Sequence, residues 1–170
     1  MTQSSTVHAT IFLERTYDAA PARVFAAWES ADARSRWGPP DADTEVIFLE
    51  TDFRVGGRDR SRCGQKGNAT FVVEGRYLDI VADRRIVFSE TVEHEGARLS
   101  ASLITVEIRP EGVRTTLSLT VQIAAFDGSG MAEGPEAGWG PALDNLAAEL
   151  AGQPEATVPD LDSLSTPRHG

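Results

Sequence analysis

The chain has 170 residues, 41% of them hydrophobic and 25% charged, the proportions of a globular protein with one sizeable core rather than of a disordered or membrane-embedded chain. Its 26 acidic residues against 16 basic ones give a formal net charge of −10, a field that repels polyanions and argues against general binding to nucleic acid or to anionic lipid surfaces. A single cysteine, Cys63, allows no internal disulfide, the start MTQSSTVHAT lacks a secretory signal, and no apolar run approaches the ~20 residues that cross a bilayer, so the chain reads as cytoplasmic with no membrane insertion.

Residues 7–17, VHATIFLERTY, are rich in β-branched and aromatic side chains and predict a strand. Asp18-Ala19-Ala20-Pro21 breaks it. Proline fits the first helical turn, so Pro21 opens a helix through ARVFAAWES with Val24, Phe25 and Trp28 on one face. A second short helix over Ala31–Trp37 ends before Gly38-Pro39-Pro40. The period then becomes alternating, with a strand over Thr44–Glu50.

The stretch DFRVGGRDRSRCG at 52–64 carries four arginines around a double glycine and invites an anion-binding reading. It fits neither G-x-x-x-x-G-K-[ST] nor G-x-G-x-x-G between strand and helix. Between two strands, Gly56-Gly57 instead make a hairpin connection, and alternation puts Arg58, Arg60 and Arg62 on one solvated face.

The remainder is mostly sheet. Phe71, Val73 and Tyr77 alternate with Thr70, Val72, Glu74 and Arg76, and Ile86, Phe88 and Val92 with Val87, Ser89, Thr91 and Glu93. Residues 100–109 form a further strand, with Pro110-Glu111-Gly112 as the turn into 113–123, where Val113, Leu117, Leu119, Val121 and Ile123 oppose polar residues. Residues 127–138 read as a flexible loop. Beyond it, Trp139, Leu143, Leu146 and Leu150 share one helix side, with Pro141 limiting how early that helix begins. The expected unit is a single domain over 7–151 with flexible termini at 1–6 and 152–170. Its class is α+β: about six to seven antiparallel strands curved around one long C-terminal helix, with two short helices after the first strand.

The strings YDAAPARVFAAW (17–28), Trp37-Gly38, DFRVGGRDR (52–60), GRYLDIVADRRIVF (75–88), TTLSLTVQ (115–122) and GWGPALDNLAAEL (138–150), in this order, resemble the START-like, helix-grip superfamily called SRPBCC. Within it they resemble the branch named after the activator of the 90-kDa heat-shock protein ATPase. The resemblance implies a pocket between sheet and C-terminal helix, used across the superfamily for lipids, sterols, polyketides and plant hormones. The eukaryotic activators carry an additional N-terminal domain for which this chain has no room, so direct chaperone activation is not expected.

Residues that could carry chemistry are few. His8, His94 and His169 are scattered and Cys63 stands alone, which gives no metal-ligand spacing and implies no cofactor. There is no G-x-S-x-G elbow, and Cys63 reads as an ordinary thiol, although Arg62 and Lys66 would lower its pKa if it were exposed. Strand parity sets Glu90 with the inward Ile86, Phe88 and Val92, and Asp79 with Tyr77, so a general acid or base in an apolar pocket is the weaker catalytic expectation, resting on Glu90 or Tyr77. Trp28, Trp37, Phe71, Tyr77, Phe88 and Trp139 are the candidate pocket lining, with Arg54 at its border to meet an acidic ligand group and Trp139 also packing the last helix onto the sheet.

The leading expectation is a non-catalytic protein that binds a small apolar molecule. The alternatives are a cavity enzyme of the polyketide cyclase, dehydratase or hydrolase type, and a co-chaperone-like interaction protein. A homodimer through a free strand edge stays open.

Overall fold

The computed structural model describes residues 5–152; the remaining N-terminal positions and the tail, including His169, lie outside the described residues. In chain order the elements are β1 (Thr6–Tyr17), α1 (Pro21–Glu29), α2 (Ala31–Trp37), β2 (Thr44–Glu50), β3 (Arg58–Gln65), β4 (Asn68–Val81), β5 (Arg85–His94), β6 (Ala97–Glu111), β7 (Arg114–Phe126) and α3 (Gly134–Gly152). The strands form one antiparallel seven-stranded sheet in the order β1-β7-β6-β5-β4-β3-β2. The fold is α+β of the helix-grip kind. No helix among the described residues is long and apolar enough to cross a membrane.

Local chemistry accounts for the two short helices. Pro21 opens α1, which buries Val24, Phe25, Ala27 and Trp28. The hydroxyl of Ser30 caps α2 by accepting the backbone N–H of Ala33 at 3.1 Å. The indole N–H of Trp37 donates to the Ala27 carbonyl at 3.0 Å and holds the two helices together.

The last helix grips only part of the sheet. It packs on β1, α1 and α2, while α1 reaches β6 and β7. The fully buried core accordingly lies there, with Ile104, Val106, Leu117, Leu119 and Val121 under Val24, Leu143 and Leu146. Polar bonds fix the seat: the Tyr17 hydroxyl donates to the Leu143 carbonyl at 2.8 Å, Arg23 to that of Leu150 at 2.6 Å, and Asn145 to that of Pro39 at 2.9 Å. Over β3, β4 and β5 the inward side chains Cys63, Phe71, Val73 and Phe88 stay only half-buried. The helix layer and the sheet part there.

Three expectations shift. The helix begins at Gly134 instead of near Pro141, so 134–138 is helical; Pro135 occupies the tolerated first turn and Pro141 sits inside, forgoing one backbone bond. The β6–β7 turn is Gly112-Val113, because Glu111 already pairs with Arg114 and Gly112 takes φ 63°. Val113 is consequently 86% exposed and not a core residue. Thr6 pairs with Phe126 and the Ser5 amide bonds Asp127, so order starts before residue 7.

The double glycine closes the connection from β2 to β3. Gly57 donates to the Arg54 carbonyl at 2.8 Å, and a Cβ there would lie 2.0 Å from the Asp52 carbonyl oxygen. Gly56 has open space around it but φ +82°. Gly57→Ala therefore destabilises by about 2–3 kcal/mol through backbone displacement, and Gly56→Ala by only about 1 kcal/mol; urea denaturation of the two variants checks that order.

Candidate functional site

The site grows from one row of the sheet. Asp59 on β3 pairs with Gly75 on β4, Gly75 with Glu90 on β5, and Glu90 with Ser102 on β6. Directly opposed residues share a face, so Asp59, Glu90 and Ser102 all point to the side covered by helices. Gly75 contributes no side chain between the two carboxyls. Flanking rows add Ser61, Val73, Val92 and Ser100 on one side, and Tyr77, Phe88 and Ile104 on the other.

Where the helices part from this face lies a cavity of about 470 Å³. Trp28, Trp37, Phe71, Tyr77, Phe88 and Trp139, the six aromatics singled out from the sequence, all line it. The rings of Trp28 and Trp139 stack at 5.8 Å between centroids, and Trp37 meets Trp28 edge-on at 4.8 Å. Trp139 thus joins α3 to α1 across the cavity wall.

Polar groups gather at one end. Arg34 of α2 donates to Asp59 at 2.8 Å, and the Tyr77 hydroxyl donates to the same carboxylate oxygen. The Arg34 and Asp59 side chains are only 13% and 14% exposed. The guanidinium lies 4.6 Å from the centre of the Phe48 ring, and Phe53 packs edge-on against Tyr77 at 4.9 Å. A pair held this far from water loses much more from the removal of one partner than it gains from the pairing itself. Burial pushes the Tyr77 phenol well above its ordinary pKa, with Arg34 opposing that rise and Asp59 and Glu90 reinforcing it.

Glu90 behaves differently. Its carboxyl has no hydrogen-bond partner among the described residues, and the half-buried residue lines the cavity. Burial, with a smaller push from Asp59, raises its pKa from 4.5 to about 7. Cys63 also lines the cavity, where burial and then Glu90 push its thiol up to about 11. That reverses the expected lowering by Arg62 and Lys66, because Arg62 projects from the opposite, exposed face of β3.

Two candidates fall outside the site. Arg54 is 72% exposed and bound to Asp52 at 2.8 Å, on the outside of the loop. Asp79 follows a register shift between Tyr77 and Asp79; this bulge turns Ile80 toward the core and leaves Asp79 on the surface, paired with Arg85 at 2.7 Å. His94 stacks on Phe71 at 4.3 Å and bonds Thr70, while His8 is exposed on β1. Among the described residues no group of three or more His, Cys, Asp or Glu side chains is placed to hold a metal ion.

Sequence reasoning missed Asp59, Arg34, Ser100 and Ser102. The signal for Asp59 was present: the parity that turns Arg58, Arg60 and Arg62 outward turns Asp59, Ser61 and Cys63 inward.

Residues 18–151 match the family described as Activator of Hsp90 ATPase homolog 1-like protein. The chain belongs to this family. Within the SRPBCC superfamily to which this family belongs, the protein resembles one from Rhizobium leguminosarum, 31% identical over 89% of this chain and 100% of that one, with a TM-score of 0.81. It also resembles Mll3558 of Rhizobium loti, 42% identical over 85% of this chain and 99% of the other, TM-score 0.76. CV1439 of Chromobacterium violaceum is 30% identical over 83% of this chain and 96% of its own, TM-score 0.71. No curated relative matches the chain in sequence.

The titration of Glu90 bears on the stability of this family member. The folded protein holds the Glu90 proton to about pH 7 and the unfolded chain releases it near 4.5, so stability falls as pH rises through that interval. Glu90→Gln removes the ionisable group but keeps its shape. At pH 8 the variant melts higher than the wild type by roughly 5 °C, and the gap closes toward pH 4.5; thermal unfolding at both pH values checks this.

Proposed function

We propose that the protein binds a small, largely apolar molecule in the cavity between its sheet and α3. The observation that carries the reading is the cavity itself: about 470 Å³, walled largely by aromatic and branched side chains, with a few polar groups among them. Ligand sites have this composition, since apolar walls supply affinity through burial and a small number of polar groups supply orientation. Family membership agrees with a ligand-binding fold. The chaperone activity in the family's description adds nothing to this reading.

Thermal-shift and native mass spectrometry measurements against a panel of hydrophobic metabolites test it. A true ligand at a hundredfold excess over its Kd adds about 2.7 kcal/mol to stability, raising Tm by roughly 5–10 °C. Ser102 faces the cavity from β6, so Ser102→Phe fills the space while retaining a strand-forming residue. This variant keeps its fold by circular dichroism and loses the shift. A shift that survives in Ser102→Phe places binding elsewhere.

A second reading rests on Glu90, whose carboxyl, pushed up to about 7 by burial, lines the same cavity as Tyr77. Such a group suits general acid or base work on a polyketide-like substrate. For a substrate turned over by the wild type, Glu90→Gln then lowers kcat at least about a hundredfold; unchanged kcat removes Glu90 from any mechanism.

A further inference from the structure

The polar groups of the cavity differ in how far the protein already engages them. Two cations border the cavity, Arg34 and Arg76. Arg34 gives one nitrogen to Asp59, while its Nε and Nη2 are buried without a hydrogen-bond partner. Arg76 turns outward to the Gly56 carbonyl at 3.2 Å. Arg76 is thus turned away from the cavity, and Arg34 is already engaged by Asp59.

The acids divide the other way. Asp59 is consumed by Arg34, Tyr77 and the Asp52 amide. Glu90, also a lining residue, has no hydrogen-bond or ion-pair partner among the described residues. Once ionised, it leaves the cavity with one carboxylate in excess. Gly75 keeps the floor between Glu90 and Asp59 free of side-chain atoms, so a ligand group can reach Glu90 from that side. Trp28, Trp37 and Trp139 line the same cavity, and aromatic rings attract a cation more than an anion. The net charge of −10 adds attraction at longer range.

We propose that the cavity's ligand is an apolar molecule bearing a protonated nitrogen, and that Glu90 is the residue that receives this nitrogen. The inference rests on the cavity-binding reading and specifies its ligand class. It reverses the sign of the expectation attached to Arg54, which had assigned the ligand an acidic group.

Titration of Glu90 would gate such binding. From β3 it is faced by Asp59 and Cys63, from β4 by Tyr77, and across the cavity from α2 by Arg34; β6 offers serines, β7 aliphatic side chains, and α3 Trp139 and Ala142. Cys63 and Tyr77 are both pushed further from neutrality by burial.

The test compares three probes on one frame, naphthylmethylamine, naphthylmethanol and naphthoic acid, by isothermal titration calorimetry. At pH 8 the amine binds the wild type at least about tenfold more tightly than the alcohol, and the acid binds weakest. Glu90→Gln brings amine and alcohol within about threefold of each other. In the wild type alone, which avoids any question of folding, lowering the pH from 8 to 5 protonates Glu90 and cuts the amine-to-alcohol preference roughly tenfold. A preference for the amine that persists in Glu90→Gln or at pH 5, or tightest binding by naphthoic acid, overturns the assignment of a cationic ligand while leaving the cavity reading in place. If none of the three binds while Ser102→Phe still abolishes the thermal shift of another ligand, only the amine class fails; if nothing binds at all, both readings fall.

Discussion

The buried pair between Arg34 on α2 and Asp59 on β3 is the interaction on which the rest of the site depends. The long helix α3 is seated against β1 and the short helices, over the half of the sheet where the fully buried core lies. The far half would otherwise present apolar side chains to a helix layer that does not reach them, and such surfaces close on one another or on water-excluding neighbours. Arg34 spans that gap at a fixed length. Stacked over Phe48 and bonded to an aspartate that also holds Tyr77, it ties α2, β2, β3 and β4 into one frame with space left beneath. An ion pair suits this task because its geometry is directional, whereas apolar packing would fill the space.

The loop between β2 and β3 serves the same frame. Gly57 brings two stretches of backbone closer than a Cβ would permit, which returns the chain into β3 with Asp59 facing inward. In the same loop Phe53 packs against Phe25 and Tyr77, so the turn is anchored to α1 and β4 together. The arginines that make the stretch conspicuous take no part in this. Arg58 and Arg60 pair with Glu74 on the outer face, and their work is to solvate a strand whose other face is half-apolar.

Most of the fold was legible because its signals are periodic. Alternation located strands from β2 to β7, the spacing of Trp139, Leu143, Leu146 and Leu150 located α3, and Pro21 located the start of α1. The errors fall where one residue departs from a period. Pro141 looked like a boundary, yet a helix packed along its length tolerates the loss of a single bond. The bulge after Tyr77 moved Asp79 outward, and bulges have no reliable sequence mark. The aromatic lining was readable as a set because large apolar residues must go inside. Its polar partners were not: Arg34 lies on a helix too short to show a face, and the inward aspartate was masked by the arginines on either side of it.

Glu90 was found from parity alone, and the structure gives it a meaning that parity could not. A carboxyl forced to ionise among apolar walls lowers the stability of the fold above neutral pH, and a glutamine of the same shape would not. Positions that sacrifice stability in this way concentrate where a protein acts, since a core serving only the fold would have no use for an unpartnered acid. The free energy that ionised Glu90 withholds from folding is available to whatever neutralises it. A proton recovers that energy below pH 7, and a bound cation recovers it above, so a ligand that satisfies Glu90 stabilises the fold at the pH where the empty protein is weakest.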